Sequence, residues 1–302
     1  MSLLENTAEA ATSRSVGAPP GRAFLVTLSC PDRIGIVADV SRFLVEHGAN
    51  ILESAQYGDA DNGRFFLRTA FEPAEGESLG QIEAAFAPVA AKFAMTARFF
   101  DMRGKTPTAI MVSRFGHCLN DLLFRWRSGA LPIDVRAVVS NHRDFEGLVT
   151  SFGLPFVHLP VKPETKAQQE AGLEALLAEK GVELIVLARY MQILSEPLCA
   201  RYAGRIINIH HSFLPSFKGA RPYHRAHERG VKLIGATAHY VTSDLDEGPI
   251  IEQAVERVGH NHSAEDFIAV GRDVEALVLA RAVKWHAEHR VLLNGTRTVV
   301  FQ

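Results

Sequence analysis

Cysteine is scarce. The three in 302 residues, Cys30, Cys118 and Cys199, share no CxxC spacing, which excludes a disulfide framework or a cysteine-based zinc motif and fits a reducing cytoplasm. Long apolar runs are missing too: none reaches the roughly 18 residues a membrane-crossing helix needs, so no membrane partner is expected. No charge of one sign dominates. With 32 Lys and Arg against 34 Asp and Glu, the net charge of −2 gives no general attraction for nucleic acid or an acidic lipid surface. Residues 1–21 have neither the positive start nor the apolar centre of a signal peptide, and their Ala, Ser, Thr, Gly and Pro content reads as a loose tail. What remains is an ordinary globular composition, 47% hydrophobic and 22% charged, with length enough for two domains.

The first domain is expected over residues 22–102. An apolar strand at 23–29 runs into Cys30-Pro31-Asp32-Arg33-Ile34-Gly35, where Asp32 is placed to start a helix. The apolar positions Ile36, Val37, Val40, Phe43 and Leu44 recur at helical spacing, and Gly48-Ala49-Asn50 stops that helix. Strands at 51–57 and 64–71 flank Asn62-Gly63, a hairpin signal; a helix at 79–93 and a strand at 96–102 complete a ferredoxin-like βαββαβ order. With the loop at 31–35 and the later Gly48-Ala49-Asn50-Ile51, this stretch resembles the ACT family, small domains that bind amino acids where two domains pair and regulate attached enzymes. The resemblance implies an amino-acid effector, methionine or glycine by analogy, near Asp32, Arg33, Ile34, Gly35, Asn50 and Ile51. It also implies a homo-oligomer, a dimer or a tetramer.

Residues 103–107 read as a linker, and residues 108–302 as the second domain. Apolar strand-like runs at 109–112, 135–140, 157–159, 184–187, 206–209 and 234–241 alternate with helical patterns at 118–126, 166–180 and 222–229. That alternation predicts an α/β domain with a doubly wound, mostly parallel sheet. An amphipathic helix at 264–290 is expected to pack on the sheet, with Arg272 and Asp273 bracing the loop around Asp246, and residues 291–301 to form a hairpin turning at Asn294-Gly295.

Polar chemistry is concentrated between residues 206 and 253. Asn208 and His210 stand two apart at a strand end, so their side chains leave one face where open α/β sheets place their sites. The strand at 233–241 carries His239 and leads into an acidic loop, Thr242-Ser243-Asp244-Leu245-Asp246-Glu247-Gly248-Pro249. An amide, an imidazole and a carboxylate suit a reaction that polarises a carbonyl, develops an oxyanion and moves a proton. For His211 and His239 the balance falls toward satisfied core or loop histidines. His224 and His227, three apart, lack an HExxH or carboxylate partner pattern, so no metal is expected; with Arg221, Arg225 and Arg229 they form a basic face.

Asn208-Ile209-His210, Ser212-Phe213-Leu214-Pro215, Lys218-Gly219 and Leu245-Asp246-Glu247-Gly248-Pro249 together resemble the signature of the folate-dependent formyltransferases and their hydrolase relatives. The resemblance implies Asn208, His210 and Asp246 as the catalytic set, with Asp246 orienting His210 and taking a proton from water. It implies a pterin site at 187–194, walled by Met191 and Ile193, read by the backbone of Gln192 and Leu194, and flanked by Arg189, Thr242, Asp244 and Gly248. The basic face at 221–229 would attract a folate glutamate tail. Ribonucleotide-directed members carry a Gly-rich phosphate cradle after the first strand. Here residues 113–120 hold only Gly116, between Phe115 and His117, which favours water as the acceptor. Both halves together resemble the formyltetrahydrofolate deformylase family, which implies hydrolysis of 10-formyltetrahydrofolate without a prosthetic group. The alternatives are formyl transfer to an amine acceptor and a non-catalytic folate and amino-acid sensor.

Overall fold

A computed structural model describes residues 22–211 and 222–302. The expected tail, the motif pieces Ser212 to Pro215 and Lys218-Gly219, and Arg221 lie outside the described residues.

The first unit runs β1 (Phe24–Pro31), α1 (Ile36–Glu46), β2 (Asn50–Asp59), β3 (Arg64–Glu72), α2 (Leu79–Phe93) and β4 (Thr96–Asp101). Its antiparallel sheet has the order β2-β3-β1-β4. Phe24, Val26 and Leu28 alternate along β1 toward Ile36, Val40 and Phe86 of the two helices, which puts one apolar core on one sheet face. Asp32 does not start α1. The helix begins at Ile36 behind Gly35, whose φ of +98° a side-chain-bearing residue adopts only with strain, and no side chain caps it. Asp32 instead donates its backbone N–H to the Gly63 carbonyl at 2.8 Å.

The second unit runs β5 (Thr106–Val112), α3 (His117–Arg127), β6 (Ile133–Ser140), α4 (Glu146–Ser151), β7 (Phe156–His158), α5 (Lys166–Glu179), β8 (Leu184–Leu187), α6 (Glu196–Arg201) and β9 (Ile206–His210). It continues with α7 (Pro222–Glu228), β10 (Leu233–Tyr240), β11 (Ile250–Arg257), α8 (Ala264–Ala287), β12 (Val291–Asn294) and β13 (Arg297–Val300). Thr106 and Pro107, read as linker, already belong to β5 and pair with β6. The sheet order is β11-β10-β9-β8-β5-β6-β7. The five strands β5 to β9 are parallel, while β10 runs antiparallel to both of its neighbours, β9 and β11. The sheet is therefore mostly parallel and covered on both faces. One apolar cluster joins it to α3 and α8, the other to α5 and α6.

The β12-β13 hairpin reaches back to the first unit. Asn294 Nδ2 donates to the buried Asp59 carboxylate at 2.6 Å and Arg297 to the same oxygen at 2.9 Å, while Phe66, Val299 and Phe301 form a shared apolar cluster. Arg68, fully buried on β3, pairs with Glu53 at 3.0 Å and donates to the Glu288 carbonyl just beyond α8 at 3.2 Å. His289 stacks on Phe100 with ring centres 3.5 Å apart.

Candidate active site

Antiparallel register brings the polar residues together. Asn208 on β9 lies directly opposite His239 on β10, so both side chains stand on one sheet face. The Asn208 Nδ2 and His239 Nε2 atoms are 3.3 Å apart, and His239 Nδ1–H donates to the Tyr240 carbonyl at 2.9 Å. With Nδ1 carrying the proton, Nε2 accepts from the Asn208 amide, which fixes that amide and leaves its second N–H free to face the cavity. The expectation that His239 is a satisfied core histidine is half right. It is only 2% exposed and hydrogen-bonded, yet it sets the orientation of Asn208.

Asp246 closes the group from the loop after β10. Its Oδ2 lies 3.2 Å from His210 Nδ1, and its Oδ1 lies 3.7 Å from His239 Nε2. The hydrogen bond of His210, with the His239 ring beside it, holds its carboxyl well below the usual carboxylate range, against the opposing effect of burial. Its backbone sits at φ +59°, a left-handed conformation that costs a non-glycine residue about 1 kcal/mol or more and gathers at functional sites. On the other side of the ring, His210 Nε2 is buried and finds no hydrogen-bond partner among the described residues. A buried polar atom is expensive to leave unpaired, and this one belongs to a residue that lines a cavity, so it points to a ligand.

That atom faces a cavity of about 370 Å³. Asn208, His210, His239 and Asp246 line one end, and the segment 189–194 with the loop 241–246 lines the rest. Met191, Ile193 and Leu245 are exposed apolar side chains at its mouth, suited to a flat ring. Gln192, Leu194, Thr242 and Asp244 also line it. Gly248 does not: a Cβ there would collide with the Tyr240 carbonyl, so its requirement is close packing behind the wall. Arg189, at φ +64°, borders the cavity but stacks its guanidinium over Phe115, 5.4 Å from the ring centre, and lies 3.4 Å from Glu275. Arg272 and Asp273 are exposed on α8, and the residues that hold Asp246 are His210 and His239.

His211 stacks on His210 at 5.0 Å, and burial, then Arg189, lowers its pKa to about 4, so it is neutral at physiological pH. Beyond it lies a second buried carboxylate that sequence reasoning passed over. Glu275 accepts from Tyr223 Oη at 2.6 Å and pairs with His117 Nε2 at 2.8 Å. Its signal was there to be read: an acid four residues after Gly271 and three before Val278, on the apolar stripe of a helix.

The six expected effector residues do not form one site within a single copy. Asp32 packs its carboxylate against Gly58 near one end of β2, whereas Asn50 begins the strand, roughly 26 Å away at 3.3 Å per residue. Asn50 lines a separate hollow with Arg22, Gly48 and Glu72. No helix among the described residues is long and apolar enough to cross a membrane.

Known proteins similar to this chain share both of its units. The formyl transferase family model matches residues 107–283 and the ACT domain model residues 24–87. A formyltetrahydrofolate deformylase of Corynebacterium sp. (strain P-1) is 52% identical over 279 residues, 92% of this chain and 98% of that protein. The Bacillus subtilis formyltetrahydrofolate deformylase is 51% identical over 276 residues, 91% of this chain and 92% of its own. The crystal structure of the formyltetrahydrofolate deformylase from Burkholderia mallei superposes with a TM-score of 0.90 at 52% identity, covering 93% of this chain and all of that one.

Proposed function

The chain belongs to the formyltetrahydrofolate deformylase family, and from that premise we propose that it hydrolyses 10-formyltetrahydrofolate to tetrahydrofolate and formate, with water as the formyl acceptor. The observation that carries the reading is the buried, unpaired Nε2 of His210, facing a ring-sized cavity between the amide of Asn208 and the carboxylate of Asp246. The pterin ring lies between Met191, Ile193 and Leu245, which brings the N10 formyl group to the polar end.

Asn208 Nδ2–H and the Nε2–H of protonated His210, whose Nδ1–H is held by Asp246, donate to the formyl oxygen and stabilise the tetrahedral oxyanion, worth about 3–4 kcal/mol for each well-aimed donor. His239 holds the Asn208 amide in its donating orientation, and Asp246 anchors His210 through Nδ1. The depressed pKa of Asp246 makes it a weak base at rest. Its basicity rises as negative charge grows on the oxygen beside it, so proton uptake from the attacking water accompanies oxyanion formation. Collapse of the intermediate breaks the C–N10 bond, and N10 leaves with that proton.

The reading extends to regulation by an amino acid through the ACT unit, in a homo-oligomer. Strand β2 is an edge strand exposed along most of its length, with Ile51, Leu52 and Tyr57 open to solvent. Antiparallel pairing of two such edges would set Asp32 to Gly35 of one copy beside Asn50 of the other. Free, buried cysteines fit a reducing cytoplasm. The test is formate release from 10-formyltetrahydrofolate with no acceptor present, repeated with methionine or glycine. Stoichiometric formate and tetrahydrofolate are expected; folate turnover that starts only when an amine acceptor is added would overturn hydrolysis. A rate indifferent to both amino acids would remove those two effectors.

A further inference from the structure

The strand ends carrying the candidate site have two faces, and the chain treats them differently. Along β9, Ile207 and Ile209 pack into the apolar cluster shared with α3 and α8, so Asn208 and His210 point the other way, toward the folate cavity. On the α8 face three segments converge on one carboxylate. His117 comes from the start of α3, Arg189 from the turn after β8, and Tyr223 from α7. Glu275 is 1% exposed, and burial alone would raise its pKa. The hydrogen bond of His117, the charge of Arg189 and the hydroxyl of Tyr223 outweigh burial and lower it. Its oxygens are occupied by groups of the chain itself.

The surroundings are shaped for this packing. A Cβ on Gly271, one turn before Glu275, would collide with the Tyr223 ring, and a Cβ on Gly116 would collide with Phe145 behind the first turn. His117, Cys118 and Glu275 have donor atoms within 4.8 Å of one another, as a metal site would. A dication there would have to displace the Tyr223 hydroxyl and tolerate the Arg189 guanidinium 3.4 Å from the carboxylate, so the cluster reads as a hydrogen-bonded clasp.

We propose that Glu275 is a positioning residue that selects the formyl acceptor: by clasping His117, Tyr223 and Arg189 it closes the α8 face of the site to amines and leaves water as the nucleophile. The clasp abuts the site through two residues that also line the cavity: Arg189, and His211, which stacks on His210 and lies 6.5 Å from Tyr223. An amine acceptor needs a polar partner beside the site, and the clasp takes up the Glu275 carboxylate that would serve. The inference rests on the hydrolysis reading.

Hydroxylamine is the probe. Its nitrogen attacks the formyl carbon, the C–N10 bond breaks, and N10 takes the proton the amine loses, giving formohydroxamate and tetrahydrofolate without redox change. The ratio of formohydroxamate to formate is measured for the wild type, Glu275→Ala, Glu275→Gln and Tyr223→Phe. We expect the ratio to rise about ten-fold in Glu275→Ala, the scale on which a lost pocket contact relaxes selectivity, and less in the other two. KM for the folate is followed in the same assay, because Arg189 of the clasp also lines the cavity. An unchanged ratio in folded variants, checked by thermal melting, overturns the proposal. Tyr223→Phe alone decides if Glu275→Ala does not fold. Absence of formate from the wild type before hydroxylamine is added would count against the hydrolysis reading, and that control is read separately.

Discussion

Two carboxylates, the half-buried Asp246 and the buried Glu275, are each paired with a histidine near the same strand end, and their surroundings differ in one respect. Glu275 is saturated: imidazole, phenol and guanidinium surround it. Asp246 is held by His210 with His239 beside it, but the far nitrogen of His210, Nε2, is buried with nothing to bond among the described residues. Both acids are held below their ordinary pKa, so the shift alone does not tell chemistry from architecture. The unpaired donor and the cavity in front of it make the distinction.

The contrast can be broken most sharply at the open end. Asn208→Ala or Asp246→Asn should lower kcat for formate release by about 10²–10³-fold while the melting temperature holds, since each removes transition-state stabilisation. Asn tolerates a positive φ, so Asp246→Asn separates loss of charge from backbone strain. Near-normal turnover in these variants would remove the proposed catalytic set. At the saturated end the larger effect should be on stability. Glu275→Gln is expected to cost about 2 kcal/mol in urea unfolding, the scale of hydrogen bonds to a charged group, with a smaller loss of kcat than Asp246→Asn. Equal losses of kcat would erase the difference between the two acids.

His239→Gln should fall between them, at about ten-fold in kcat with KM little changed, because one orienting hydrogen bond is worth roughly 1.5 kcal/mol. The smallest effect is on the pH dependence of stability. His286, which bonds the Tyr240 hydroxyl at 2.7 Å, and His289, stacked on Phe100, are lowered by burial to about 3 and about 4 from 6.5. Between those values and 6.5 the unfolded chain binds protons that the folded one refuses. Stability therefore falls as pH drops from 6.5 toward 4, whereas the two carboxylates, lowered in the fold, keep their contribution until the pH falls below the ordinary carboxylate range. A shallower slope for His286→Gln in that window, measured by urea midpoints, is the expected result; an unchanged slope would mean His286 is protonated equally in both states.

Much of the architecture was legible because period and punctuation are local. The compact apolar run of β1, the helical spacing of α1 and α2, and Asn62-Gly63 between β2 and β3 point to one βαββαβ unit, which is the fold observed. Short elements escaped: α4 and α6 span six residues each, too few to display a 3.6-residue period. β11, an edge strand with largely exposed residues, lacks the clean alternation of a half-buried strand. The apparent cap at Asp32 failed because a glycine in a left-handed conformation starts α1 instead.

By itself the sequence determined the alternation of elements and the polar residues placed at the end of β9 and in the loop after β10, since these depend on neighbours along the chain. Only the tertiary structure decided which of those residues meet. The register that sets His239 against Asn208, the loop that swings Asp246 to His210, and the clasp joining positions 117, 189, 223 and 275 are contacts between segments far apart in sequence. Local propensity carries no information about such distances. They follow from how α8 packs against the sheet, and the unpaired ring nitrogen of His210 beside the cavity is what marks the site.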